Sequence, residues 1–160
     1  MPPPRAWIAV VGSGEAGLQD LAVAEEVGAA VAEARCGLVC GGRGGVMEAA
    51  CRGARSRGGL TVGILAGLDR EEANGWVLVA LPTGLGEARN ALVVRAADAV
   101  VSIGGGWGTL SEIALALKAG VPVVGIGTWE PVLGGERVEG IVAAREPKLA
   151  VAEALRLAGR

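Results

Sequence analysis

The sequence predicts a three-layer α/β fold of the doubly wound, Rossmann-like kind, and three observations carry that reading. Short, nearly continuous apolar runs rich in β-branched residues alternate with longer Ala-rich stretches. Strands without a polar side are covered on both faces, which means a mostly parallel sheet between helical layers. The alternation runs βαβαβ and then βαβαβ again, the doubly wound pattern. Four of the apolar runs also exit into glycine-rich turns, at the strand ends where such sheets place their ligands.

Strands read at 7–11, 38–40, 61–65, 77–81, 99–103 and 121–126, each a short β-branched run. Helices read at 16–34, 46–56, 87–96 and 110–119. In the first of them Leu21, Ala24, Val27, Gly28, Val31 and Ala32 keep a helical rhythm of apolar positions. A last helix, 148–157, follows Pro147. The sheet is expected to hold six or seven strands in the order 3-2-1-4-5-6. Stretches 66–75 and 129–146 read as loop or partial helix. No linker or repeat divides the chain, so residues 1–160 are expected to form one nucleotide- or phosphate-binding domain.

Composition narrows the function classes. The chain is 51% hydrophobic and 20% charged, which excludes disorder as its main state. Its 15 basic and 17 acidic residues give a net charge of −2 without any long block of one sign. Neither nucleic acid nor a membrane surface is therefore an expected partner. The longest uncharged run, 73–86, contains Gly and Pro and is too short to span a bilayer. The start, Met-Pro-Pro-Pro-Arg, lacks the apolar core of a signal peptide, so a cytoplasmic location is expected. There is no histidine, which removes His-based zinc sites, His general bases and Ser-His-Asp triads. The three cysteines, Cys36, Cys40 and Cys51, read as reduced, buried small hydrophobes, and no metal site is expected.

The glycine-rich turns are Gly12-Ser13-Gly14-Glu15-Ala16-Gly17, Gly41-Gly42-Arg43-Gly44-Gly45, Pro82-Thr83-Gly84-Leu85-Gly86 and Gly104-Gly105-Gly106-Trp107-Gly108-Thr109. Glycine lets backbone N–H groups approach an anion, and a helix N-terminus just beyond adds unpaired amides and the positive end of a dipole. Four such turns converging, with Arg43 and Arg89 beside them, point to a phosphorylated or otherwise anionic ligand. The first turn matches the Gly-x-Gly-x-x-Gly dinucleotide fingerprint, but the second strand ends in Cys40-Gly41-Gly42 instead of the acid that holds a ribose. A nicotinamide dehydrogenase is thereby disfavoured, and no P-loop pattern is present.

Glu112 and Arg89 stand out as chemical groups. Thr109-Leu110-Ser111-Glu112 reads structurally as a capping box and functionally as a carboxylate beside an anion loop. Such a carboxylate activates water or stabilises positive charge on a sugar. Arg89, in the first turn of a helix, opposes the helix dipole unless a ligand or an ion pair with Glu87 offsets the cost. Trp107 either stacks on a planar ring or fills a core or subunit contact, and Trp129 rims the same place. Trp7 and Trp76, at strand starts, read as packing residues.

Gly105-Gly106-Trp107-Gly108-Thr109-Leu110-Ser111-Glu112 resembles the Gly-Gly-x-Gly-Thr-x-x-Glu signature of the LOG (LONELY GUY) superfamily, whose members often carry the label "lysine decarboxylase-like". Cys40-Gly41-Gly42-Arg43-Gly44-Gly45-Val46-Met47-Glu48-Ala49 and Gly86-Glu87-Ala88-Arg89-Asn90 resemble its molybdenum-cofactor-carrier-like branch more closely. The resemblance implies a Rossmann-like fold and a homodimer or homotetramer. From the LOG enzymes it implies hydrolysis of the N-glycosidic bond of nucleoside 5′-monophosphates, with Arg89 and Glu112 as catalytic residues. The ligand would be lined by Gly12, Ser13, Gly41, Gly42, Arg43, Met47, Thr83, Asn90, Gly105, Gly106, Trp107, Gly108 and Thr109, its phosphate at 105–109. From the carrier-like branch it implies a bound pterin phosphate, molybdopterin, without chemistry. No cofactor is required for either reading. Gly104 stands where LOG has Pro, and Asn90 where LOG has Lys. Decarboxylation of lysine is not expected, because the only lysines, Lys118 and Lys148, lie away from these turns and cannot supply a Schiff base there.

Overall fold

The apolar runs do form the strands, and the computed structural model, which describes residues 2–160, arranges them in one twisted sheet. The chain runs β1 (Trp7–Gly12), α1 (Leu18–Glu33), β2 (Gly37–Cys40), α2 (Val46–Ser56), β3 (Thr61–Leu65) and β4 (Val79–Pro82). It continues through α3 (Asn90–Arg95), β5 (Ala99–Ile103), α4 (Trp107–Lys118) and β6 (Val123–Ile126), then β7 (Val132–Leu133), β8 (Glu136–Arg137), β9 (Ile141–Ala143) and α5 (Pro147–Leu157). Seven strands pair in parallel in the order β4-β3-β2-β1-β5-β6-β9. The central strands β1, β2, β5 and β6 are apolar and buried on both sides for the reason the sequence suggested.

Helices α1, α2 and α5 cover one face around Ile8, Val10, Leu38 and Ile103. Helices α3 and α4 cover the other around Val11, Val39, Val93 and Ile113. Small residues set the spacing between α1 and α2. A Cβ on Gly28 would overlap the Ala50 carbonyl, and one on Gly53 would overlap the Glu25 carbonyl, so the two backbones touch at both points.

The strand order departs from 3-2-1-4-5-6 at one place. The fourth strand lies outside β3, with Val62 opposite Val79, and β5 takes the position beside β1. The link from β3 to β4 carries only a short 3₁₀ turn, Arg70–Glu72, and no helix to lie across three strands, so β4 docks on its sequence neighbour. The reversal falls one step later, where a 3₁₀ turn (Gly86–Arg89) and α3 carry the chain to β5. The undecided stretch 129–146 forms a β7–β8 hairpin and β9. The hairpin turns on Gly134 and Gly135, both with positive φ. Among the described residues no helix is long and apolar enough to cross a membrane.

Candidate functional site: an anion cradle at the β1–β5 crevice

Adjacent strands whose following helices lie on opposite faces leave a crevice at their carboxyl ends. Here those strands are β1 and β5, with Gly12 opposite Ile103. Helix α1 leaves β1 toward one face and α4 leaves β5 toward the other. A cavity of about 260 Å³ opens in this crevice, bounded by the turn after β1, the start of α2, the turn before α3 and the start of α4.

Two helices present uncapped N-termini here. Helix α4 begins at Trp107 after Gly106, and no side chain caps it. Its first helical bond runs from Leu110 N–H to Gly106 O, so the amides of Trp107, Gly108 and Thr109 have no helical acceptor. Helix α2 likewise starts after Gly45 with no side-chain cap, and Val46 N–H donates to Ser13 O at 3.0 Å. Gly45 has φ +63°, and a Cβ there would drive into the Ser13 and Gly14 backbone; only glycine lets these two turns meet.

Arg89 and Glu112 form the floor. Both are buried, and Arg89 Nη1 lies 3.9 Å from Glu112 Oε1. Arg89 also donates through Nη1 to Asn90 Oδ1 and through Nη2 to Gly41 O at 3.4 Å, while its Nε finds no acceptor. An unpaired guanidinium donor in a buried setting is costly unless a ligand completes it. Asn90 Nδ2 donates to Ser111 Oγ at 2.9 Å, and Ser111 Oγ to Gly108 O at 2.7 Å, so one chain of bonds ties the arginine to the first turn of α4.

Burial pushes the Glu112 carboxyl up to about 7, against the pull of Arg89 and with a smaller push from Glu87. Burial also lowers the Arg89 guanidinium from its ordinary value, while Glu112 holds it up. The site therefore contains a cation with a spare donor and a carboxyl that changes charge near neutrality.

Most of the residues singled out from the sequence line this cavity: Gly12, Ser13, Arg43, Met47, Arg89, Asn90, Gly106, Trp107, Gly108, Thr109 and Glu112. Four do not. Gly41 lies beneath Arg89, where a Cβ would press on the guanidinium and on the Met47 sulfur. Gly42 makes the turn itself, with φ +75° and its carbonyl bound by Asn74 N–H at 2.8 Å. Thr83 Oγ1 donates to Leu65 O at 2.7 Å and serves the end of β4. Gly105 lines a separate, more open hollow of about 520 Å³ with Asp20, Thr128 and Trp129.

The capping box does not form. Helix α4 starts at Trp107, which makes Thr109 its third residue and buries it, and Glu112 turns toward Arg89. Nor does Arg89 pair with Glu87, which faces Arg43 at 4.0 Å instead. Arg89 ends a 3₁₀ turn and caps α3, so it does not oppose a helix dipole from inside a first turn. Trp107 is 79% exposed, 5.4 Å from the Trp129 ring and tilted by 33°, and Trp129 Nε1 donates to Gly106 O. It is a rim residue of the cavity and fills no core gap. Two lining residues were not singled out as ligand contacts: Gly14, one step along its motif, and Glu87, two residues before Arg89.

Comparison with known proteins places this geometry. A protein of Archaeoglobus fulgidus described as uncharacterized is 44% identical over 119 residues, 74% of this chain and 78% of that one. The structure of the molybdenum cofactor binding protein from Rippkaea orientalis superposes with a TM-score of 0.83 at 36% identity, covering 98% of this chain and 97% of that one. The molybdenum cofactor carrier protein of Chlamydomonas reinhardtii superposes with a TM-score of 0.84 at 32% identity, covering 98% of this chain and all of that one. The profile of the SLOG cluster4 family matches residues 5–151, and the chain belongs to that family.

Proposed function

We propose that this chain binds the molybdenum cofactor, a pterin bearing a phosphate, in the β1–β5 crevice and carries it without transforming it. The observation that carries the reading is Arg89, a buried cation whose Nε lacks an acceptor beside an uncapped helix N-terminus. The amides at the start of α4 suit a phosphate, with Arg43 adding positive charge at the mouth. Trp107 offers an exposed ring to a planar heterocycle. Two structures similar at 32–36% identity over nearly the whole chain are of a molybdenum cofactor carrier and a molybdenum cofactor binding protein, which favours carriage.

Glu112 supports a second reading, the LOG-type hydrolysis of a nucleoside 5′-monophosphate. A carboxyl near neutrality next to a cation can orient water or face the positive charge that develops on a ribose as its bond to the base breaks. One experiment separates the two. The protein is purified from molybdenum-replete cells, assayed for bound pterin, and incubated with AMP. The carrier reading expects pterin to copurify and no adenine to appear. Adenine release that Glu112→Gln abolishes, with no pterin bound, would establish the hydrolase instead.

A further inference from the structure

Neither reading uses the pair of thiols beneath the cradle. Cys40 ends β2 and Cys51 lies on α2; both are fully buried, and their sulfurs are 3.6 Å apart. Between them in sequence lie the Gly41–Gly42 turn, Arg43 and the start of α2, of which Arg43 and Met47 line the candidate site. Cys40 Sγ accepts from Gly42 N–H at 3.3 Å, so the thiol is bonded directly to this turn.

We propose that Cys40 and Cys51 are a redox modification site: peroxide converts them to a reversible disulfide that staples the glycine turn to α2. The sulfurs need only close from 3.6 Å to about 2 Å, and the two residues sit on neighbouring elements already packed together. Four of the five residues of the turn 41–45 are glycines and the fifth, Arg43, is exposed, so opening of this turn admits a water-sized oxidant to Cys40 without displacing a buried side chain of its own.

The environment assigns the roles. A hydrogen bond between the two thiols lowers the Cys40 thiol, helped by Gly42 N–H and Arg89 and opposed by burial and Glu112. The same hydrogen bond, with burial, raises Cys51. Gly42 N–H, which donates to Cys40 Sγ, and the nearby Arg89 stabilise a thiolate at that position, so Cys40 takes the attacking role and Cys51 the resolving one. The Cys40 sulfur attacks one peroxide oxygen, the O–O bond breaks, and the departing hydroxide takes up a proton as water, leaving Cys40 as the sulfenic acid. The Cys51 sulfur then attacks the Cys40 sulfur; the S–S bond forms, the S–O bond breaks, and the hydroxyl leaves as water with the Cys51 proton. Two thiols and one peroxide give one disulfide and two waters.

The test needs no ligand, so its failure is distinct from failure of the cofactor reading. Reduced protein is treated with hydrogen peroxide and digested without reduction. A peptide linking Cys40 to Cys51, lighter by two hydrogens and restored by dithiothreitol, is expected in the wild type and equally in Cys36→Ser. In Cys51→Ala, Cys40 should instead be trapped by dimedone as the sulfenic acid. Hydrogen exchange of the amides in 41–47 should slow by about tenfold in the oxidised protein. Absence of the linked peptide, or oxidation falling on Cys36 alone, overturns the disulfide. Unchanged exchange in 41–47 overturns the staple.

Discussion

Glu112 concentrates the unusual electrostatics of the molecule in one residue. Its carboxyl is raised from 4.5 to about 7 in the folded protein by burial. Between those values the folded chain keeps a proton that the unfolded chain has lost, so unfolding releases it and stability falls as pH rises. The stabilising margin is complete below about 4.5 and gone above about 7, with a ceiling of about 3 kcal/mol. Urea unfolding at the two ends of that window should show the loss in the wild type and its absence in Glu112→Gln. Arg89 is the complementary case. Arg89→Leu removes the only cation within ion-pair reach of Glu112 among the described residues, together with the donors that face the cavity. Affinity for the phosphate-bearing ligand should drop by about 100-fold in a calorimetric titration. Arg89→Lys, which keeps charge but not the planar fork, should recover little of it. Asn90 acts through its neighbours: both ends of its amide are engaged, by Arg89 and by Ser111, so it positions the arginine.

At the scale of elements, close approach does most of the organising. Helices α1 and α2 touch backbone to backbone at Gly28 and Gly53, and Gly53→Ala should cost about 3 kcal/mol, read from thermal or urea unfolding, because the Glu25 carbonyl occupies the space of the new methyl. The central strands and α2 were legible from sequence because a strand buried on both sides must be apolar throughout, and because α2 carries its apolar residues on one face. The position of β4 was not legible, since strand order depends on what the connection can cross, and a 3₁₀ turn is invisible in hydrophobic periodicity. The start of α4 was displaced for a related reason. Gly106 holds the N-cap position without a capping side chain, so Trp107 and Gly108 read as loop while Thr109 mimics a capping residue. The same displacement lets Glu112 read from sequence both as a capping residue and as a chemical group. The hairpin and β9 were missed because two- and three-residue strands with exposed side chains carry no periodic signal.

For the whole molecule, the sheet brings segments far apart in sequence to one rim, and the β1–β5 switch decides where that rim opens. The edge strand β4 carries exposed Val79 and Leu81, with exposed Leu78 just before it. Exposed apolar groups gathered near a sheet edge suit contact with a second copy, so light scattering at micromolar concentration should give more than one chain per particle; a monomer contradicts that expectation. The central claim is that the β1–β5 crevice holds a phosphate-bearing pterin through Arg89 and the start of α4. It is tested most directly by titrating molybdopterin into the wild type and Arg89→Leu in parallel, with folding of both verified. Saturable binding in the wild type that collapses in the variant is the predicted result. Equal binding by the two proteins, or none by the wild type, would contradict the claim.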